Sequence, residues 1–165
     1  MHMSTSSNVL WGALALGLVT GMRSMLAPTI VSRALAARDD IDKAGEPART
    51  LAADRTRQFL MPLAAGELLG DKMTFAPDRT ILPSMAFRAL SGGVTAAALA
   101  SARQQPIGLP MLIGASAALV ASKVGLSLRK PHQARPLTNA ALGLAEDCLA
   151  LAIGNAGLQR ALGER

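Results

Sequence analysis

The sequence predicts an all-α bundle of membrane helices, built from four to five hydrophobic segments. Hydrophobic residues make up 50% of its 165 residues but aromatic residues only 2%, so the apolar surface comes mainly from small and aliphatic side chains. Such residues suit close helix packing in lipid. Charged residues make up 17%, below the roughly 25% of soluble domains, and several stand alone inside apolar segments. The alternative is a soluble, alanine-rich helical bundle.

The first segment, Asn8 to Val31, is long enough for one helix to cross about 30 Å of hydrocarbon. Asn8 can cap its start, and Pro28 is expected to kink or end it. Residues 1–7 are predicted to be a disordered N-terminus or a cloning remnant, preceding a single transmembrane domain at 8–160. The mixed charges of residues 33–57 predict a solvated cytoplasmic loop.

The second segment, Phe59 to Met73, is short, and Glu67 and Asp71 interrupt it. A run of roughly 10–14 apolar residues is more often re-entrant or buried than a full span. Four spans and one re-entrant hairpin would place most basic residues of 33–88 on one side, opposite both termini. This arrangement satisfies the positive-inside rule better than five full spans, which is the alternative.

Three further segments follow at about 81–102, 107–128 and 138–158, joined by short links that contain proline. Glycines within these and the earlier segments form small-xxx-small pairs or tight crossings, which allow helices to approach closely and a dimer to form. The predicted packing glycines are Gly17, Gly21, Gly66, Gly70, Gly92 and Gly143.

Charged residues inside the apolar segments are the candidate functional groups, because a charge persists in the bilayer mainly where it has a partner or a polar route. The candidate solute- or ion-binding residues are Arg23, Glu67, Asp71, Lys123, Glu146 and Asp147. In one interpretation Arg23, Arg88 and Lys123 simply neutralise the four acids and hold the bundle together. In the other, at least one carboxylate exchanges a proton or binds a cation during transport.

Other function classes have little support in the sequence. The net charge of +6 would suit nucleic acid, but aromatic residues that stack on bases are nearly absent, and anionic lipid explains basic loops better. Neither a zinc-protease His-Glu-x-x-His motif nor a Gly-x-Ser-x-Gly elbow is present. No enzymatic activity, cofactor or metal is therefore predicted. The expected partners are membrane lipids and a second copy of the chain.

Several of these charged motifs occur together in an order that resembles a known family. The motifs are Gly21-Met22-Arg23-Ser24, Glu67-Leu68-Leu69-Gly70-Asp71-Lys72, Arg88-Ala89-Leu90-Ser91-Gly92 and Glu146-Asp147. They resemble the bacterial membrane-protein family catalogued as domain of unknown function 4126, over about Gly12 to Gly157. The resemblance implies a small multi-pass protein of the bacterial inner membrane and supplies no activity.

The sequence thus predicts a transporter or channel-like permease for a small solute or ion, with proton coupling through intramembrane carboxylates as one form of it. The alternatives are a non-transporting membrane scaffold with structural charge pairs and a lipid-binding membrane protein. Transport predicts a water-accessible cavity that reaches Glu146 or Glu67.

Overall fold

The computed structural model describes residues 5–70, 82–129 and 136–163, and these residues form helices and connecting turns without a strand. The helices are α1 (Thr5–Met22), α2 (Leu26–Ala36), α3 (Ala48–Ala52), α4 (Asp54–Gly70), α5 (Leu82–Ala102), α6 (Gly108–Arg129) and α7 (Pro136–Leu162). A short 3-10 turn at Ile41–Lys43 precedes α3. The all-α prediction is confirmed. Helix α1 starts three residues before the predicted Asn8, while residues 1–4 lie outside the described ranges.

Helices α1, α5, α6 and α7 form the core of the bundle, and α1 contacts each of the other three. Helix α7 runs antiparallel to α1, since Gly12 of α1 lies beside Ala161 whereas Arg23, just after α1, contacts Asp147. Helix α5 is also antiparallel to α1, because Arg88 near its start contacts Thr20 and Gly21 near the end of α1. Helix α6 is parallel to α1, because Gly17 lies beside Gly114 and Gly21 lies beside Ala118. Helices α2, α3 and α4 pack against one another beside this core.

The first hydrophobic segment is a helical hairpin and not one continuous helix. Helix α1 ends at Met22, and α2 starts at Leu26 and turns back along α1. A Cβ atom at Gly154 would lie 3.6 Å from Val19 and 3.2 Å from Ile30. In a straight helix these two residues would stand about 16 Å apart along the axis, so α2 must return towards the start of α1. The predicted single helix from Asn8 to Val31 is therefore wrong.

Pro28 does not cause this break. It lies in the first turn of α2, where its missing N–H leaves no helical hydrogen bond unmade. The chain has already turned at residues 23–25, where the backbone is not helical. The chain thus turns back within the first segment, while α4 covers the described part of the second segment.

The hairpin brings the charged loop to the same end of the bundle as both described helical termini. The Ser101 hydroxyl, at the end of α5, donates a hydrogen bond to the Gly45 carbonyl at 2.7 Å. The guanidinium of Arg103 donates to the Leu162 carbonyl, at the end of α7, at 3.0 Å. The prediction that the loop lies opposite both termini is therefore wrong, because it required the first segment to cross the bundle once.

Glycines set the closest approaches between core helices. A Cβ atom on Gly114 would lie 2.5 Å from the Gly92 carbonyl oxygen, and one on Gly17 would lie 2.5 Å from the Gly114 carbonyl oxygen. At Gly21 the Cβ atom would lie 2.5 Å from the carbonyl oxygen of Ala118. Real Cβ atoms do not approach oxygen this closely, so any larger residue at these positions forces the helices apart.

The other predicted packing glycines are placed differently. Gly66 is exposed on α4, and a Cβ atom there would meet nothing within 4 Å. Gly143 is half-buried on α7, and Gly70 is the last residue of α4. The small-residue contacts of α7 occur further along the helix, where a Cβ atom on Gly157 would lie 2.5 Å from the Ala15 side chain.

Within the described ranges, two helical stretches, Gly108–Ser127 and Ala141–Leu162, are long and apolar enough to cross a membrane. Only 33% and 17% of their most apolar windows are buried inside the structure, whereas the core helix of a soluble protein is mostly buried. Their length and composition indicate membrane association. The predicted count of four to five spanning segments goes beyond these two.

Gly114→Ala is expected to destabilise the bundle by about 1–3 kcal/mol, because the added methyl group meets the α5 backbone. Gly108→Ala, in the same helix, is the matched control, since a Cβ atom there meets nothing within 4 Å. Gly108 is the first residue of α6, so Gly114→Ala gains more helix propensity than Gly108→Ala, and this difference opposes the expected destabilisation. Thermal unfolding in detergent measures the difference, and equal midpoints for the two variants would contradict this account of the helix contact.

Candidate functional site

A carboxylate from α4 binds the backbone where the first segment breaks. The N–H groups of Ser24 and Met25 would donate to carbonyls four residues earlier if the helix continued. Instead, Ser24 N–H donates to Oε1 of Glu67 at 2.8 Å, and Met25 N–H donates to Oε2 at 2.8 Å. The Ser24 hydroxyl adds a third hydrogen bond to Oε1 at 2.6 Å. Glu67 therefore takes over the acceptor role of the lost helical carbonyls.

A guanidinium from α5 binds the other half of the same break. The carbonyls that Ser24 and Met25 would have used belong to Thr20 and Gly21. Arg88 Nη1 donates to the Gly21 carbonyl at 2.8 Å and to the Thr20 carbonyl at 3.3 Å. Arg88 thus takes over the donor role of the lost helical N–H groups.

Glu67 and Arg88 also neutralise each other, with Arg88 Nη2 3.7 Å from Glu67 Oε1 and side chains only 16% and 7% exposed. The negative charge lies at the N-terminus of α2 and the positive charge at the C-terminus of α1, which matches both helix dipoles. Burying an ion pair is tolerated where further hydrogen bonds satisfy its polar atoms, and the broken backbone supplies such bonds to both Glu67 oxygens and to Arg88 Nη1.

Hydroxyl groups from the core helices complete the lining of the break. Ser91, one turn after Arg88 on α5, donates to the Ser24 carbonyl at 2.8 Å. Ser122 of α6 lies 3.2 Å from the Gly21 carbonyl and 2.7 Å from the carbonyl of Ala118 in its own helix. Buried backbone groups that leave a helix need such partners, because an unmade hydrogen bond in an apolar interior is costly.

A second ion pair ties the turn to α7. Arg23, within the turn itself, donates from Nε to Asp147 Oδ1 at 2.5 Å, with side chains 4% and 16% exposed. The break is thus connected to α4, α5 and α7 by charged side chains at one level of the bundle. Asp147 lies six residues, or about 9 Å along the helix, inside the apolar stretch that starts at Ala141.

A cavity of about 360 Å³ lies beside this network, where α1 ends but α6 and α7 continue. It is half open, and among the described residues its lining is apolar apart from the side chain of Glu146. The lining residues are Leu18 and Met22 of α1, Val120, Ala121, Val124 and Gly125 of α6, and Leu142, Ala145, Glu146 and Leu149 of α7. Because Glu146 precedes Asp147, the cavity and the ion-pair network share one turn of α7.

The predicted site residues therefore separate into three groups. Arg23, Glu67 and Asp147 meet at the break, and Glu146 lines the adjacent cavity. Lys123 is exposed on α6 and forms no ion pair within the described parts of the chain. Asp71 lies outside the described residues. In the ranges that the structure covers, no group of three or more His, Cys, Asp and Glu side chains could hold a metal ion.

The three further residues at the break differ in how clearly the sequence marks them. Arg88 was expected only as one of three neutralising bases, although its position inside an apolar segment marked it as unusual. Ser91 and Ser122 were not singled out as site residues. A signal for Ser122 does exist, because it follows Gly114 and Ala118 at intervals of four residues on the small-residue face of α6.

Comparison of the chain with protein-family models, with curated proteins and with solved structures finds no match in any of the three. The resemblance to domain of unknown function 4126 therefore stays a prediction. The function has to be argued from the geometry of the break and the cavity.

Glu67→Gln is expected to lower the free energy of unfolding by about 2 kcal/mol, because Arg88 then loses the negative charge of Glu67 beside it. This is less than the 3–5 kcal/mol typical of fully buried pairs, since Glu67 keeps some exposure. Hydrogen exchange at the amides of Ser24 and Met25 should accelerate in parallel. Unchanged exchange at these two amides would show that Glu67 does not hold the break.

Glu46→Gln is the matched control for Glu67→Gln. Exposed Glu46 accepts hydrogen bonds from the N–H and hydroxyl groups of Thr50 in α3, and the hydroxyl bond lowers the pKa of its carboxyl group. Like Glu67, Glu46 accepts a hydrogen bond from a backbone N–H group near the start of a helix, but Glu46 is in contact with water. A loss of stability similar to that of Glu67→Gln would mean that burial and Arg88 contribute little.

A double-mutant cycle with Arg23→Gln and Asp147→Asn tests the second ion pair. Each single variant removes one of the two charges from the Arg23–Asp147 contact, whereas the double variant removes both. The stability losses are therefore expected to be non-additive, with a coupling energy of about 1–3 kcal/mol measured by thermal unfolding. Additive losses would show that the two side chains do not interact in the folded protein.

Proposed function

We propose that this chain is a small multi-span membrane protein that moves a small solute or ion across the bilayer, as a transporter or channel-like permease. Two arginines inside apolar segments point inwards while several large apolar side chains point outwards, which supports a lipid environment. Arg23 and Arg88 are 3% and 6% exposed, whereas Phe59, Leu82 and Leu90 are 72%, 82% and 63% exposed. Apolar patches of this kind usually mark a membrane or a partner.

The observation that carries the transport proposal is the cavity beside Glu146, half open to the outside and adjacent to a broken helix. Transporters commonly place their binding sites where a membrane helix is interrupted, since the free backbone groups and helix dipoles act on the substrate there. The volume of about 360 Å³ lies at the lower end of ligand-pocket sizes. Intramembrane carboxylates beside such a cavity are suited to proton coupling.

The topology supports an orientation with both helical termini in the cytoplasm. The charged loop and the α5–α6 link share the end of the bundle with both described helical termini. The basic residues of these regions are Arg33, Arg38, Lys43, Arg49, Arg55, Arg57, Arg103 and Arg160. The positive-inside rule assigns such an end to the cytoplasmic side. The α1–α2 hairpin is then the re-entrant element of a multi-pass protein in the bacterial inner membrane, and the exposed apolar faces leave room for a homodimer.

The second candidate is a non-transporting scaffold, and one observation favours it. Each of Arg23, Glu67, Arg88 and Asp147 already has a partner within the fold. Charged side chains whose only role is to satisfy the backbone of a broken helix do not require a bound solute. In this case the variants that neutralise them change stability and nothing else.

Flux through liposomes that contain the purified protein separates the two candidates. A pH-sensitive dye inside the vesicles reports proton movement after addition of monovalent cations or small amines. Transport predicts a solute-dependent signal in the wild type that is reduced at least about tenfold by Glu146→Gln, while the variant keeps its thermal stability. Glu46→Gln, in the loop, should transport as the wild type does. Absence of any signal, with a lowered unfolding temperature for Glu146→Gln, would favour the scaffold.

A further inference from the structure

We propose that a groove on the outer face of α1 and α6 binds an acyl chain of an anionic phospholipid, whose phosphate contacts Lys123. The inference rests on the membrane placement within the proposed function, and it does not require transport. Three observations carry it: an open apolar groove, a lysine that faces away from the bundle, and a groove length that matches one leaflet of a bilayer.

The groove lies between α1 and α6, beside the cavity, and the two openings share Leu18 and Val120. Its volume is about 380 Å³, and it is more open to the outside than the cavity is. The walls include Leu14 and Leu18 of α1 and Leu112, Ile113, Ser116 and Val120 of α6. Ser116 is the one polar residue among the described lining residues. A hydrated solute would lose its water here without replacement, whereas an alkyl chain fits these walls.

Lys123 lies inside the apolar stretch Gly108–Ser127 but points away from the bundle. Its side chain is exposed, and it forms no ion pair with the residues that the structure describes. A charge in an apolar membrane segment persists mainly where it has a partner. Because the described ranges supply none, an anion from outside the chain is the partner that fits. In a bilayer the phosphate group of a lipid is such an anion.

The ammonium group of Lys123 can reach the level of the lipid headgroups. Lys123 lies four residues before Ser127, so the end of the apolar stretch is about 6 Å further along the helix axis. Lysine side chains bury their methylene groups in apolar surroundings and extend the charge to the interface. Because α6 starts at the α5–α6 link, this interface belongs to the leaflet opposite the charged loop.

The groove continues from Lys123 along one side of α6. Val120 precedes Lys123 by three residues and Ser116 precedes it by seven, which places all three on neighbouring turns of one helix face. Leu112, at the far end of the groove, lies about 16 Å from Lys123 along the axis. One leaflet contributes about 15 Å of the hydrocarbon thickness. A lipid with its phosphate at Lys123 would therefore place an acyl chain along the groove.

A second copy of the chain fits this face less well than a lipid does. Symmetric dimers bury the same surface of both copies, with identical residues close to the two-fold axis. An axis normal to the membrane would place two Lys123 side chains at the same depth, where their like charges repel each other in apolar surroundings. The charge on this face therefore favours an anionic lipid as the occupant.

Native mass spectrometry of the detergent-solubilised full chain tests the charge with two lipids that have identical oleoyl chains. Phosphatidylglycerol is anionic, whereas phosphatidylcholine carries no net charge. The wild type is expected to bind the first phosphatidylglycerol molecule about fivefold more tightly, which is the effect of one lysine near an anionic lipid. Lys123→Gln should remove this preference and Lys123→Arg should keep it. Lys43→Gln, in the charged loop, is the matched control and should bind as the wild type does.

Ser116→Phe tests the groove and should weaken binding of phosphatidylglycerol about fivefold or more, because the ring occupies the space of the acyl chain. Gly108→Phe, at the open start of the same helix, is its control and should bind as the wild type does. Unfolding temperatures measured alongside show that each variant is folded, and Lys123→Met carries the charge test if Lys123→Gln does not fold.

A phosphatidylglycerol with a photoreactive group in one acyl chain locates the bound lipid. Cross-links are expected at Leu14 or Leu18 of α1 and between Leu112 and Val120 of α6. Cross-links confined to α4 or the charged loop would overturn the inference, as would an undiminished preference for phosphatidylglycerol in Lys123→Gln.

The same measurements separate this inference from the proposed function. Lipid binding that depends on Lys123, with no solute flux in liposomes, would support the lipid site and overturn transport. Solute flux in liposomes, with equal binding of both lipids, would overturn the lipid site and leave transport standing. Recovery of the protein in the soluble fraction of cells would overturn the membrane placement and the lipid site with it.

Discussion

The ion pair between Glu67 and Arg88 replaces two backbone hydrogen bonds of a helix, and the remaining architecture depends on this substitution. A break in the middle of an apolar bundle leaves N–H and carbonyl groups without partners, at a cost that a small protein can hardly tolerate. Glu67 accepts from the N–H groups of Ser24 and Met25, and Arg88 donates to the carbonyls of Thr20 and Gly21. Because the two side chains also neutralise each other, neither charge is buried alone.

The break determines where a site can form. Helix α1 stops at Met22, whereas α6 and α7 continue past this point. Up to Met22, α1 lies between α6 and α7. Beyond Met22 the space between them is the cavity. Glycine contacts hold α1 and α6 close together along their shared length. The polar network and the apolar cavity therefore lie side by side, on consecutive residues of α7.

The charges inside apolar segments could be recognised from the sequence because each contradicts its surroundings. Arg23, Glu67, Glu146 and Asp147 were all expected at a polar interior, and each lies at the break or in the cavity. The break itself could not be recognised. Residues 9–31 contain a single proline, at 28, and otherwise the composition of a spanning helix, so local preferences favour continuation. The groups that stabilise the interruption come from residues 43 and 67 positions away in the chain.

By itself the sequence determined the helical class, the outward apolar composition and the set of buried charges, because these follow from residue type and spacing. Only the tertiary structure decided that α2 turns back, that the charged loop lies at the same end as both helical termini, and that Lys123 faces outwards while Arg88 faces inwards. The reason is physical: a broken helix is unstable in isolation and becomes stable only when side chains from distant helices satisfy its backbone.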